Sequence, residues 1–286
     1  MILIMHIKCW NWQLQIHNKQ RGMDGMNLLF TICARAGSKG VKSKNIRSFL
    51  EFPIVYYTLA AYRLFLKNNK DQFEVVELAL NTDSDTLVEQ MKSSGVPFHY
   101  VQRREELAGD IVSKTDVIKD TLIEMQKKQG IRYDVVIDLD LTSPLRKPYD
   151  IQGTLDALLE NQAADVAFSV TDSRRLPFFN MVSKDEAGLY NILINKGYVS
   201  RQQAPQCFDM NASIYAYRNE FISAASTKKV FDGKAVIWKM KDTAILDIDS
   251  EEDYELMQVL AKYFYNKDEE FGTLYTCVKN NFKDET

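Results

Sequence analysis

The sequence predicts an α/β fold, a mixed but mostly parallel sheet with helices packed on its faces. Three observations lead there. Short apolar, β-branched runs such as Leu28–Ala34 and Asp134–Leu139 have the length and composition of strands buried on both faces. Segments of helical spacing, about ten to fifteen residues long, lie between such runs, as βαβ units require. The chain has 286 residues, 45% apolar and 26% charged, enough for a large core and unlike disorder, collagen or a coiled coil. A prior of about 150 residues per domain suggests about two domains, although single α/β domains often exceed that length.

The elements follow in order. Residues 1–26, rich in Gln, Asn, Trp and His, show no clean period and read as an extension to a body that begins near Met23 or Met26. The alternative is a helix packed on the body through Trp10, Trp12, Leu14 and Ile16. A strand over Leu28–Ala34 precedes a helix over Ile54–Leu66. Val75–Leu80 is a strand, Asp83–Ser94 a helix and Phe98–Val101 a short strand. A helix over Lys114–Gln129 leads to the strand Asp134–Leu139, a helix over Ile151–Glu160 and a strand over Val166–Val170. Residues 171–208 then lose the pattern and read as an inserted lobe of short strands and turns. Asn211–Tyr217 and Ala235–Lys239 resume as strands, and Glu251–Phe264 forms an amphipathic helix capped by Asp249 or Ser250. The domain is expected to span 27–265, leaving 266–286 as a charged, weakly patterned tail.

Charge excludes one class of function. Lys plus Arg total 36 and Asp plus Glu 39, a net charge of −3, without the basic surplus that a nucleic-acid backbone demands. No run of 18 apolar residues spans a membrane. The four cysteines form no CxxC pair, and reduced thiols in a cytoplasmic protein are expected. His6, His17 and His99 sit near no Cys or carboxylate cluster, and no GxSxG or Walker A sequence occurs.

Ligands of open α/β sheets bind beyond the carboxyl ends of the strands, so the segments after each strand are the ones to question. After the first comes Arg35-Ala36-Gly37-Ser38-Lys39-Gly40-Val41-Lys42-Ser43-Lys44-Asn45, with four cations and two glycines. This suits a polyphosphate, because backbone N–H groups and side-chain charge converge. A solvated basic loop is the plainer reading. After Asp134–Leu139 come Asp140, Thr142 and Ser143; Asp138 and Asp140 share one face if the strand continues. Asp247-Ile248-Asp249 repeats the Asp-x-Asp pattern and can hold a hard divalent ion, or simply cap a helix. Arg201, Gln202 and Gln203, with Asn211 beyond, suit a carboxylated, hydroxyl-rich ligand, though alone they would read as a polar loop.

Seven pieces in one order, ARAGSKGVKSKN, NTDS, QRREELAGD, LTSPLR, RQQAPQCF, NASIY and LDIDSEED, resemble the CMP-sialic acid synthetases, or acylneuraminate cytidylyltransferases, over roughly residues 27–264. The resemblance implies a Rossmann-like, glycosyltransferase-A-like nucleotidyltransferase body whose inserted lobe mediates a homodimer. It implies that CTP and a nine-carbon 2-keto-3-deoxy sugar acid give a CMP-sugar and pyrophosphate, with Mg²⁺ required. By position, Arg35, Gly37, Ser38, Lys39, Lys44, Asn45, Asp83 and Arg103 would hold the nucleotide, and Arg35, Lys39 and Asp247 would carry catalysis. Asp140, Thr142, Ser143, Arg201, Gln202, Gln203 and Asn211 would hold the acid, and Asp247 and Asp249 the metal. Asp140-Leu141 replaces the usual Gln-Pro, and Pro177-Phe178-Phe179-Asn180 lacks a lysine usual near that point; both changes point to legionaminic acid or a relative. The alternatives are a Kdo cytidylyltransferase, a non-catalytic sugar-nucleotide-binding module, or a glycosyltransferase.

Overall fold

A computed structural model of the chain describes residues 25–37, 41, 43–109, 112–224, 229–243 and 247–280. The reading of residues 1–24 lies outside them, as do Ser38 and Lys39. The run NLLFTIC forms β1 (Asn27–Cys33), whose interior residues are all buried. It pairs in parallel with β4 (Val75–Thr82) on one side and β6 (Val135–Leu139) on the other. Such two-sided burial is what an uninterrupted apolar strand requires. A small hairpin, β2 (Ser48–Phe49) and β3 (Phe52–Pro53), precedes the first long helix.

The helices match their periodicity. Among them, α1 (Val55–Asn69) buries Tyr57, Leu59, Ala60 and Phe65 against the sheet. Ser84 caps α2 (Asp85–Ser93), its Oγ accepting from the Leu87 N–H at 3.3 Å. The helix α3 (Lys114–Gln129) ends where Gly130 adopts φ 68°, a left-handed closure glycine permits. After it, α4 (Pro148–Glu160) starts with proline, whose missing N–H costs nothing there.

The edge strand β5 (His99–Gln102) joins β4 in parallel. Past α4 come β7 (Val166–Asp172), the lobe hairpin β8 (Val182–Lys184) and β9 (Tyr190–Ile192), then β10 (Phe208–Arg218), the short helix α5 (Asn219–Ile222) and β11 (Ala235–Lys239). The described residues build a seven-stranded sheet ordered β11-β7-β10-β6-β1-β4-β5, in which β10 alone runs antiparallel to its neighbours. The expected mixed, mostly parallel sheet is therefore present, and the lobe leaves the sheet between β7 and β10.

One expectation is corrected. The segment after Asn266 is no loose tail: α6 (Glu251–Lys267) turns into α7 (Glu269–Lys279), and Phe271, Leu274 and Val278 close the core. Their helical spacing is obscured by the charges between them. Lys147 ties this hairpin to the body through Asp268 at 3.0 Å and Glu270 at 2.7 Å. Of the two residues expected to cap α6, Ser250 does so, accepting from the Asp253 N–H at 3.1 Å.

Gly153 allows α4 to lie against Trp238 of β11. A Cβ there would fall 2.3 Å from the indole ring, whose Nε1 donates to Asp150 at 3.3 Å. Gly153→Ala is therefore expected to destabilise the protein by about 1–3 kcal/mol, less a helix-propensity gain of up to about 1 kcal/mol. Thermal unfolding checks this, and an unchanged midpoint would show that the ring moves aside freely.

Candidate functional site

A cleft of about 260 Å³ opens at the carboxyl ends of β1, β5 and β6, lined by Arg35, Lys44, Asn45, Arg103, Lys114, Asp140, Thr142 and Asp247 among others. That is where an open α/β sheet places a ligand. The segment after β1 supplies one wall. The Asn45 Nδ2 donates to the Arg35 carbonyl at 3.0 Å, and the Ala36 N–H donates to Asp83 at 2.7 Å, so both ends of the basic segment are pinned. Lys44 donates to the Ile248 carbonyl at 2.9 Å and lies 3.6 Å from Asp249. This contact draws the basic segment to the Asp-x-Asp segment across 204 residues of chain.

Arg103 follows β5 and is buried. Its Nε donates to the Asn81 side chain at 2.9 Å and a terminal nitrogen to the Asn81 carbonyl at 3.2 Å. Burial pushes its pKa down, with Asp83 and Asp138 opposing. Among the described residues no carboxylate lies within hydrogen-bond distance of it.

The other wall is the end of β6. Asp138 and Asp140 do share a face, and Lys114 at the start of α3 bridges them at 2.8 and 2.7 Å. Burial alone would raise the Asp140 pKa, but Lys114 and Thr142 hold it well below the usual carboxylate range. Lys114 in turn, despite burial, is pushed well above its ordinary value by the two carboxylates. Asp247 behaves oppositely: burial first, and then the nearby Asp140 charge, push its pKa up. Two carboxylates thus crowd one cleft. Among the described residues no group of three or more His, Cys, Asp or Glu side chains could hold a metal ion. Asp247 in the cleft and the more exposed Asp249 present oxygen donors of the kind a hard divalent ion takes.

A buried scaffold supports this floor. In β10 the register shifts between Met210 and Tyr215, with Ala212 at φ 51°. This bulge aims the Ser213 carbonyl at the Asp140 N–H (3.1 Å) and at Arg146 (2.7 Å). Arg146, 1% exposed, also reaches the Asp140 carbonyl at 3.1 Å and Thr58 at 2.8 Å. Burial lowers its pKa to about 10.

The structure therefore sorts the expected site residues. Arg35, Lys44, Asn45, Arg103, Asp140, Thr142 and Asp247 meet in the cleft. Asp83 pins the basic segment from an exposed position, and Asp249 is 79% exposed beside Lys44. Gly37 has open space where a Cβ would sit and no positive φ, so the described backbone does not demand glycine there. Ser143 is buried against Ser213 at 2.7 Å. Asn211 is buried and engaged, its Oδ1 accepting from Ser169 and from the Ser213 N–H, so it organises the bulge. Arg201, Gln202 and Gln203 form an exposed turn on the lobe and do not line this chain's cleft; the Gln203 amide accepts from the Val199 N–H. The Cys33 thiol, which lines the cleft, is pushed up to about 12 by burial, which disfavours the nucleophilic thiolate.

Sequence reasoning missed Lys114, Asn81 and Arg146. One signal for Lys114 was available: a lysine opening a helix opposes the dipole and needs an anion nearby.

Comparison with known proteins gives a consistent set. The cytidylyltransferase family model matches residues 29–271. The chain is 31% identical over 236 residues to post-translational flagellin modification protein B of Campylobacter coli, covering 82% of this chain and 95% of that one. It is 32% identical over 235 residues to CMP-N,N'-diacetyllegionaminic acid synthase of Campylobacter jejuni, covering 82% and 94%. Among solved structures, a CMP:2-keto-3-deoxy-manno-octonic acid synthetase complexed with CTP superposes with a TM-score of 0.57 at 17% identity, over 83% of this chain and 99% of that one. That likeness concerns the fold.

Proposed function

The chain belongs to the cytidylyltransferase family, and from that premise we propose that it activates a nine-carbon 2-keto-3-deoxy sugar acid with CTP. The observation that carries this reading is the cleft itself, where Arg35, Lys44 and Arg103 face Asp140 and Asp247 at the strand ends. In the reaction the anomeric hydroxyl oxygen bonds to the α-phosphorus, the α–β phosphoanhydride bond breaks, pyrophosphate leaves and the hydroxyl proton is released. No protein nucleophile is needed. The protein's tasks are in-line positioning and neutralisation of charge as it shifts onto pyrophosphate. Arg35, Lys39, Lys44 and Arg103 would hold the phosphates, and Asn45 would keep the basic segment in place. Asp247 and Asp249 would hold Mg²⁺, which supplies charge neutralisation on the phosphates when bound.

Legionaminic acid or a relative is the favoured acid, because Asp140 stands where sialic-acid enzymes usually carry glutamine and the Campylobacter jejuni relative is named for that sugar. A homodimer is part of the same reading. The lobe exposes Val182, Leu189, Tyr190 and Val199 at 60, 66, 68 and 87%, an apolar surface suited to a second copy. Arg201 and Gln202, which do not line their own chain's cleft, would then meet the acid in the partner's. No helix among the described residues is long and apolar enough to cross a membrane.

The test is pyrophosphate release with CTP, Mg²⁺ and a panel of acids that includes legionaminate derivatives, N-acetylneuraminate and Kdo. Legionaminate derivatives should give the highest kcat/KM. Equal or better turnover of N-acetylneuraminate would overturn the sugar assignment, and release of CMP in place of pyrophosphate would overturn the reaction.

A further inference from the structure

The carboxyl end of β6 holds a charge arrangement that the reaction scheme above leaves unused. Asp138 is fully buried; its Oδ1 accepts from the Thr31 hydroxyl at 2.8 Å, and its Oδ2 lies 2.8 Å from the Lys114 ammonium. The same ammonium lies 2.7 Å from Asp140 Oδ2. Lys114 opens α3, where the helix dipole disfavours a cation, so its place is explained by these carboxylates and not by the helix. Asp140 Oδ1 accepts from the Thr142 N–H at 2.8 Å and from its hydroxyl at 2.6 Å. An ionised carboxylate offers about four acceptor positions. Three are filled within the protein, and the side chain is 24% exposed where it lines the cleft.

We propose that Lys114 is a positioning residue that holds Asp140 as a fixed, charged acceptor, so that the cleft selects a sugar acid presenting a hydrogen-bond donor, a hydroxyl or an amide N–H, at that point. The inference rests on the cytidylyltransferase reading and refines its substrate class. A neutral glutamine or asparagine can donate or accept, but a carboxylate clamped by an ammonium can only accept. A substrate with no donor there leaves a desolvated carboxylate unmatched, a loss that discriminates more strongly than a missing apolar contact. The sheet order assigns the donor to the acid. The phosphate-holding cations Arg35 and Arg103 follow β1 and β5, whereas Asp140 follows β6 on the other side of β1, which leaves it for the acid.

The experiment measures pyrophosphate release with the acid varied at saturating CTP and with CTP varied at saturating acid. Lys114→Met is expected to raise KM for the acid by about tenfold or more, as expected for a lost charge-assisted hydrogen bond, and KM for CTP by less than about threefold. Lys114→Arg should restore most of the difference. Among acids methylated singly at each hydroxyl or amide, at least one should be rejected by the wild type and tolerated by Asp140→Asn, which can donate. If Lys114→Met does not fold because Asp138 is left buried and unpaired, the Asp138→Asn, Lys114→Met double variant carries the same test. Equal KM changes for both substrates, an effect on CTP alone, or identical rejection of every methylated acid by wild type and Asp140→Asn would each overturn the proposal. A wild type that turns over no nine-carbon acid overturns the functional reading, and this proposal with it.

Discussion

Asp247→Asn is expected to lower kcat/KM for pyrophosphate release by about 10²–10³-fold, the scale of losing one ligand of the divalent ion that would neutralise the reacting phosphates, while melting no lower than the wild type. The stability half follows from the burial of Asp247. Burial, and then the Asp140 charge, raise the folded-state pKa of Asp247 above its ordinary 3.8. The folded protein therefore binds that proton more tightly than the unfolded chain. Stability attached to this group falls as pH rises through and beyond the ordinary carboxylate range. At pH 7 the ionised side chain is a cost to folding, and an amide of the same shape relieves it. Activity and thermal unfolding of the same preparation at pH 7 check both halves. A variant that keeps its activity would remove Asp247 from the site, and one that melts well below wild type would make its role structural.

The second large effect is on stability. Arg146→Met should destabilise the fold by roughly 3 kcal/mol or more, since hydrogen bonds to a buried charged group contribute about 1.5–3 kcal/mol each and the abandoned acceptors stay desolvated. Those acceptors are the carbonyls of Asp140 and Ser213 and the Thr58 hydroxyl. The contacts join α1, the end of β6 and the β10 bulge, so the floor of the cleft should loosen along with the core. Urea unfolding measures the loss. A midpoint within about 0.5 kcal/mol of wild type, the range of an ordinary surface substitution, would contradict it.

Much of this architecture is legible in the sequence. The helix over Lys114–Gln129 and the strand over Ala235–Lys239 fall where their patterns place them. Both are bounded by strong local signals, and α3 by a glycine whose left-handed φ stops it. The failure at α7 is equally local in origin. Its apolar residues face a core that exists only once α1 and α6 are assembled, and the charges between them read as a solvated tail. Asn211 misled for a related reason. A polar residue after a lobe looks available to ligand, but its amide is consumed by Ser169, Ser213 and Met240, on two strands and a loop.

By itself the sequence determined the α/β class, the order of its strands and helices, the position of the lobe and the basic and acidic segments that meet at the strand ends. These follow from periodicity, β-branched runs and turn chemistry, which act over a few residues. Only the tertiary structure decided which of those charges face one another. Lys44 reaches Ile248 across 204 residues, Lys114 bridges two aspartates a helix away, and Arg201 stays out on the lobe. Charge pairing depends on distance and burial, and no local pattern in the chain encodes either.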